Sequence, residues 1–154
     1  MRTIDQRLAS LEIVLPEAAV PAFQYVPVTL HERLAFVSGQ LPRSGDRLIT
    51  GKVGADVDVE TAREAAGLCI LQGLACLRQA LGSLDQLERI LKLTGFVASA
   101  PGFNQQPLVI DAASELLVRI FGEEGRHARS AIGVAELPRN ASVEIELTVS
   151  LRKG

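Results

Sequence analysis

Gly125-Arg126-His127-Ala128-Arg129-Ser130-Ala131-Ile132-Gly133-Val134 is the stretch on which the fold turns. A glycine-led, charged segment gives way to a mostly apolar run of small and β-branched side chains, so a loop ends and a strand begins there. Arg129 stands at that loop-to-strand edge, where a rigid scaffold can hold a charged group toward a ligand. Glu136-Leu137-Pro138 interrupts the run, and Val143-Glu144-Ile145-Glu146 resumes it as a second strand ending near Leu151. Side chains alternate along a strand, so Glu144 and Glu146 share one face. If the two strands are neighbours, a guanidinium and a carboxylate face one pocket.

Outward from this pair, the spacing predicts a helix over Pro107 to Phe121, stopped by Gly122. Ala100-Pro101-Gly102 is a turn, and Leu87 to Ser99 reads as a strand. The longest helix is expected over Val59 to Leu81, with Asp58 as its N-cap and Gly82-Ser83 as its stop. One face of it, Ala62, Ala66, Cys69, Gly73, Cys76 and Ala80, is small enough to lie close on a sheet. Leu48 to Val57 carries Gly51 and Gly54 and reads as strand or loop, after a turn at Ser44-Gly45-Asp46. Phe23 to Leu30 and Leu34 to Val37 are strand-like, joined by His31-Glu32-Arg33; Pro27 marks a bulge or an edge. Thr3 to about Leu11 is a short helix with capping-box spacing at Thr3 and Gln6, and Pro16 and Pro21 bracket an irregular link. The order predicts a single α+β domain over residues 1–154, with residues 1–20 as an N-terminal helical extension. Its mixed β-sheet carries two long helices on one face and closes on a hairpin. The other face would be bare and apolar, which implies an oligomer.

Composition narrows the function classes. The chain of 154 residues has 47% hydrophobic and 22% charged residues and a net charge of −2, ordinary for a soluble domain with a real core. It has no basic block, no tryptophan and one tyrosine, so nucleic acid is not the expected main partner. No apolar run approaches the length of a membrane span. Cys69 and Cys76 lie two helical turns apart, roughly 10 Å, too far for a disulfide. They read as buried small hydrophobes in a reducing compartment, and the expected location is the cytoplasm. Metal-ligand spacing is missing, so no metal site is expected.

Several short motifs in order carry a family resemblance. They are Tyr25, Ser38-Gly39-Gln40-Leu41-Pro42, Leu91-Lys92-Leu93-Thr94-Gly95-Phe96-Val97, Ala128-Arg129-Ser130-Ala131, Leu137-Pro138 and Val143-Glu144-Ile145-Glu146. With this spacing the chain, from roughly Pro21 to Arg152, resembles the reactive intermediate deaminase (Rid, formerly YjgF) family, also labelled endoribonuclease L-PSP. It looks closest to a longer subgroup with an extra N-terminal helix. The resemblance implies a chorismate-mutase-like fold and a homotrimer with three sites in the clefts between subunits. It implies hydrolysis of enamine or imine acids to 2-keto acids and ammonia, without metal or organic cofactor. By motif position Arg129 matches the arginine that grips the substrate carboxylate, and Glu144 the acid associated with the attacking water. Tyr25, Ser38 and Gly39 match residues lining the cleft. Two positions depart from the family pattern. Ala131, a substrate-binding position that would contact ligand through its backbone, stands where a cysteine is common, and Asp111, also a substrate-binding position, is the nearest match to an asparagine. An acid at Asp111 would repel a carboxylate or select a cationic group.

The chemistry is self-consistent. An imine carbon is electrophilic, so water can attack it without a metal if substrate and water are held. A carboxylate can take or relay the proton, and a guanidinium fits a carboxylate in a two-pronged way. Glu146 shares the face of Glu144 and could trade places with it. His127, His31 and Arg126 read as solvated surface groups, and Ser38-Gly39 as a tight backbone approach. The alternative function is a trimeric protein that binds or senses small carboxylates with little catalysis, favoured by Asp111 and Ala131. The partners expected are a small imine, enamine or keto acid and two further copies of the chain. Ribonuclease action is disfavoured by the acidic balance.

Overall fold

A computed structural model describes residues 1–154. Helix α1 spans Ile4–Ser10. The Thr3 hydroxyl accepts from Gln6 N while the Gln6 side chain accepts from Thr3 N, the reciprocal cap that the sequence predicts. Asp85 Oδ1 accepts from Ile4 N at 2.7 Å, and Arg7 donates to Ile120 O, which docks the helix on the body of the domain. The extension is helical only there; residues 11–27 run without helix or strand.

Strand β1 covers Val28–His31 and β2 covers Leu34–Gln40. The strand expected from Phe23 therefore begins five residues later. Pro27 has no N–H for a ladder and instead accepts from Ser38 N at 2.9 Å. A two-residue hairpin follows, β3 (Arg43–Ser44) and β4 (Arg47–Leu48), turning at Gly45. The rest of the stretch to Val57 is loop, tied by single bridges at Thr50 and Val53.

Helix α2 spans Val59–Leu81, capped by Asp58 and closed by Gly82 in the left-handed region, as its sequence dictates. Ala62, Ala66, Cys69, Gly73 and Cys76 are buried, whereas Ala80 is exposed. A Cβ added at Gly73 would meet Leu147 and Val37, so the small face does lie on the sheet. Strand β5 (Leu87–Ala98), helix α3 (Gln106–Phe121) and β6 (Ala128–Val134) form a β-α-β unit, and β6 runs parallel to β5. Strand β7 is Val143–Leu151.

The sheet order is β1-β2-β7-β5-β6. This corrects the expected closing hairpin: β7 pairs with β2 and β5, not with β6. A crossover helix makes β6 parallel to β5, and the last strand fills the gap between β2 and β5. Both long helices cover one face, over a core that includes Ile70, Leu74, Leu93, Ile110, Ile145 and Val149. The other face is bare, but it is not uniformly apolar. Phe36 and Ile132, 45% and 46% exposed, alternate there with half-buried Phe96 and with Lys92, Glu144 and Glu146.

Candidate active site

The strand register divides the candidate residues into two groups. Arg129 pairs with Leu93, which is fully buried under the helices, and Ala131 pairs with Gly95. Glu144 pairs with Phe96 on the bare face. Residues opposite one another share a face, so Arg129 and Glu144 lie on opposite faces, with β5 between their strands. The shared pocket expected from neighbouring strands is absent within one chain.

Glu144 lies over the end of β2. An added Cβ at Gly39 would stand 2.2 Å from Glu144 Oε1, so glycine is what admits the carboxylate. Burial raises the Glu144 pKa, and the negative charge of Glu146 raises it further. Ser38 supplies a tether: its hydroxyl donates to Val26 O at 2.8 Å and its N–H to Pro27 O. That knits β2 to the segment carrying Tyr25, which is half exposed. Tyr25, Ser38, Gly39 and Glu144 together line a cavity of about 390 Å³, roofed by residues from Ala19 to Phe23. These four predicted site residues are thus brought together.

Arg129 belongs to a different surface. Its Nη1 donates to Asp111 Oδ1 at 3.0 Å and to Ser114 Oγ at 3.2 Å, both on α3, and its Nη2 donates to Pro107 O. Asp111, the expected departure from the family pattern, is therefore its direct ion-pair partner. Ser114 also meets His127 Nε2 at 2.9 Å, and His127 Nδ1 lies 2.6 Å from Gly125 O. A carbonyl can only accept, so Nδ1 carries a proton; in the neutral ring Nε2 then accepts from the Ser114 hydroxyl. Gly125 packs so closely on α3 that a Cβ there would strike Leu117 O. His127 was expected in solvent and is instead part of this chain of hydrogen bonds. Nothing in its sequence context marks a serine thirteen residues upstream as its partner.

Ala131 sits half-buried against the core. Arg126 is exposed and pairs with Glu123, and His31 is exposed at the end of β1, as expected of both. Both cysteines are free and buried. Burial raises the Cys69 thiol well above its ordinary value, with Glu144 adding to the shift. No group of three or more His, Cys, Asp or Glu side chains is placed to hold a metal ion, and no helix is long and apolar enough to cross a membrane. Among the cavity residues that sequence reasoning missed are Arg43, Gln72 and Arg139. Each lies on a different element, and only their convergence in space marks them.

Comparison with known proteins agrees with this architecture. Residues 5–151 match the family model described as "YjgF/chorismate mutase-like, putative endoribonuclease". The chain is 44% identical to Protein TCP17 of Trypanosoma cruzi over 150 residues, 96% of this chain and 94% of that one. Among solved structures it is similar to Atu1372 of Agrobacterium tumefaciens, a protein of unknown function. Identity there is 49% and the TM-score 0.90, covering 97% of this chain and 92% of that one. A Shewanella oneidensis MR-1 protein described as a putative endoribonuclease superimposes with a TM-score of 0.94 at 32% identity, covering 97% of this chain and all of that one.

Proposed function

Since the chain belongs to the YjgF/chorismate-mutase-like family, the Rid group, we propose that it hydrolyses enamine or imine acids to 2-keto acids and ammonia. The observation that carries this reading is Glu144: a partly desolvated carboxylate with a raised pKa, seated over Gly39 in a cavity with Tyr25 and Ser38. Water adds to the carbon of the protonated imine, and Glu144 takes one water proton as the C–O bond forms. Returned to the nitrogen, that proton makes ammonia the leaving group. The C–N electron pair departs with it while the oxygen closes the carbonyl and gives its remaining proton to the Glu144 carboxylate, which passes it to the departing ammonia as ammonium. A carboxyl poised above its ordinary pKa is suited to both taking and giving that proton near neutrality.

The substrate carboxylate falls to Arg129, which one chain holds on the far side of the sheet from Glu144. The site is therefore completed in a homotrimer, with Arg129 from one subunit and Glu144 from the next. The half-exposed Phe36 and Ile132 on the uncovered face favour such an assembly. Asp111 beside Arg129 presents both signs of charge. A zwitterionic iminium acid, carboxylate to Arg129 and nitrogen toward Asp111, meets both. The same ion pair favours a second reading, a binding protein whose anion grip is already occupied and whose chemistry is slow.

The test couples an amino-acid oxidase, which makes the imine in situ, to measurement of ammonia release. Arg129→Ala and Glu144→Gln should each lose most of the activity alone, about 10²–10⁴-fold for the acid–base group. Mixed by unfolding and refolding, they should recover about one quarter of the sites if the two residues come from different subunits of a ring. Recovery of none in a properly formed mixed trimer would place both residues in one chain's site. Binding of a keto acid without faster ammonia release in wild type would select the second reading.

A further inference from the structure

The cavity around Glu144 contains more than the proposed hydrolysis of a small imino acid requires. Its volume of about 390 Å³ falls within the range of roughly 300–1,000 Å³ typical of sites for drug-sized ligands. It also reaches from one layer of the domain to the other. Glu144 projects on the bare face of the sheet, whereas Gln72 belongs to α2 on the covered face, and both line the same space. The cavity therefore passes around the end of β2.

Two cations, Arg43 and Arg139, line this cavity without a carboxylate partner. Gln72, only 2% exposed, donates from Nε2 to Arg43 O at 3.1 Å and so fixes the Arg43 backbone against α2. Its Oε1 is buried without a hydrogen-bond partner, a costly state for a polar atom. Arg139 has φ 56° and ψ 24°, and Asn140 beside it has φ 60°. The left-handed region is uncommon for arginine and disfavoured by side-chain sterics. Backbone held in that state at a cavity is a recurrent mark of a functional position.

We infer that Arg43 and Arg139 form a second anion subsite, so that the preferred substrate is a dicarboxylic imino acid with its distal carboxylate between them. This rests on the hydrolase reading for the chemistry at the proximal end but not for the binding preference itself. Arg129 is already paired with Asp111, so these two arginines are the cations of the site with no acid of their own. Gln72, whose Oε1 has no partner, lines the same cavity and holds the Arg43 backbone in place.

The experiment compares 2-oxoglutarate with 2-oxopentanoate, keto acids of equal length that differ in the terminal carboxylate. Calorimetric titration of wild type should show at least about tenfold tighter binding of the dicarboxylate, as charged hydrogen bonds imply. Arg43→Gln combined with Arg139→Gln should reduce that ratio to near one. Arg139→Gly offers a control that folds at least as well, since glycine relieves the left-handed backbone; it should lose much of the ratio while its unfolding temperature holds or rises. Equal binding of the two acids by wild type, or a ratio that survives in the double variant, overturns the inference. If dicarboxylate preference depends on the arginines but no imine is hydrolysed, the subsite stands and the hydrolase reading falls. If imines are hydrolysed with no such preference, the reverse holds. Failure to bind either acid overturns both.

Discussion

Gly39→Ala tests the placement of the Glu144 carboxylate without touching its charge. The new methyl would lie 2.2 Å from Glu144 Oε1 and 2.9 Å from Cδ, whereas ordinary contact begins at 3.4 Å. The carboxylate must therefore retreat by 3.4 − 2.2, or 1.2 Å, to clear it. Gly39 is not among the residues with positive φ, so the backbone accepts alanine. What has to move is the free end of a flexible side chain, so the fold should be almost unaffected and the site misaligned. A displacement of about 1 Å at a reacting group can cost on the order of 10²-fold in rate, within the 10²–10⁴-fold usually supplied by acid–base help. Turnover of an in situ imine should fall by about that range, with the unfolding midpoint close to wild type. Gly39→Ala added to Glu144→Gln should cost little more than either change alone, because both disable one group. A folded Gly39→Ala protein within a few-fold of wild-type turnover would refute the reasoning. So would losses that multiply in the double variant.

Glu144→Gln should also change stability with pH. Folding raises the Glu144 pKa, so its protonated form favours the folded state below the ordinary carboxylate range, and that contribution fades as pH climbs through the raised value. The variant should match wild type in acid and become relatively more stable toward neutral pH, read as a widening difference in Tm. Gly95→Ala should lower stability by about 1–3 kcal/mol in a denaturant titration, because its Cβ would stand 2.5 Å from Ile110 Cδ1 in the packed layer between β5 and α3. Cys69→Ala with Cys76→Ala should keep turnover per folded site, since both thiols are buried with raised pKa values. A maleimide should label wild type only after unfolding, and labelling of the native protein at ordinary rates would count against that.

Local chemistry made most elements legible. Asp58 and Gly82 bracket α2 at the residues expected, and Thr3 with Gln6 caps α1, because caps are written in contiguous sequence. Pairing is not. The alternating pattern of β6 and β7 states which residues share a face but not which strand lies alongside, so a closing hairpin and a central β7 read alike until the sheet is assembled. The same non-locality hid the ion pair of Arg129 with Asp111, eighteen residues away on another element. It also hid the meeting of Arg43, Gln72 and Arg139. The grouping of Tyr25, Ser38, Gly39 and Glu144 was legible only through family motifs, since no spacing rule places Tyr25 beside Glu144.

The central place of β7 has a consequence for biosynthesis. Until β7 emerges from the ribosome, β1–β2 and β5–α3–β6 are separate pieces, each with an unpaired strand edge along its inner side. Such edges template pairing between nascent chains. Closure needs contacts more than a hundred residues apart, such as Leu34 with Ser150, a topology that slows folding. The last of the sheet's strands to be made is thus the one that decides whether the earlier ones are a domain or a hazard. Polysome crowding and holdase chaperones should weigh most heavily on this protein in the interval before Val143–Leu151 is released.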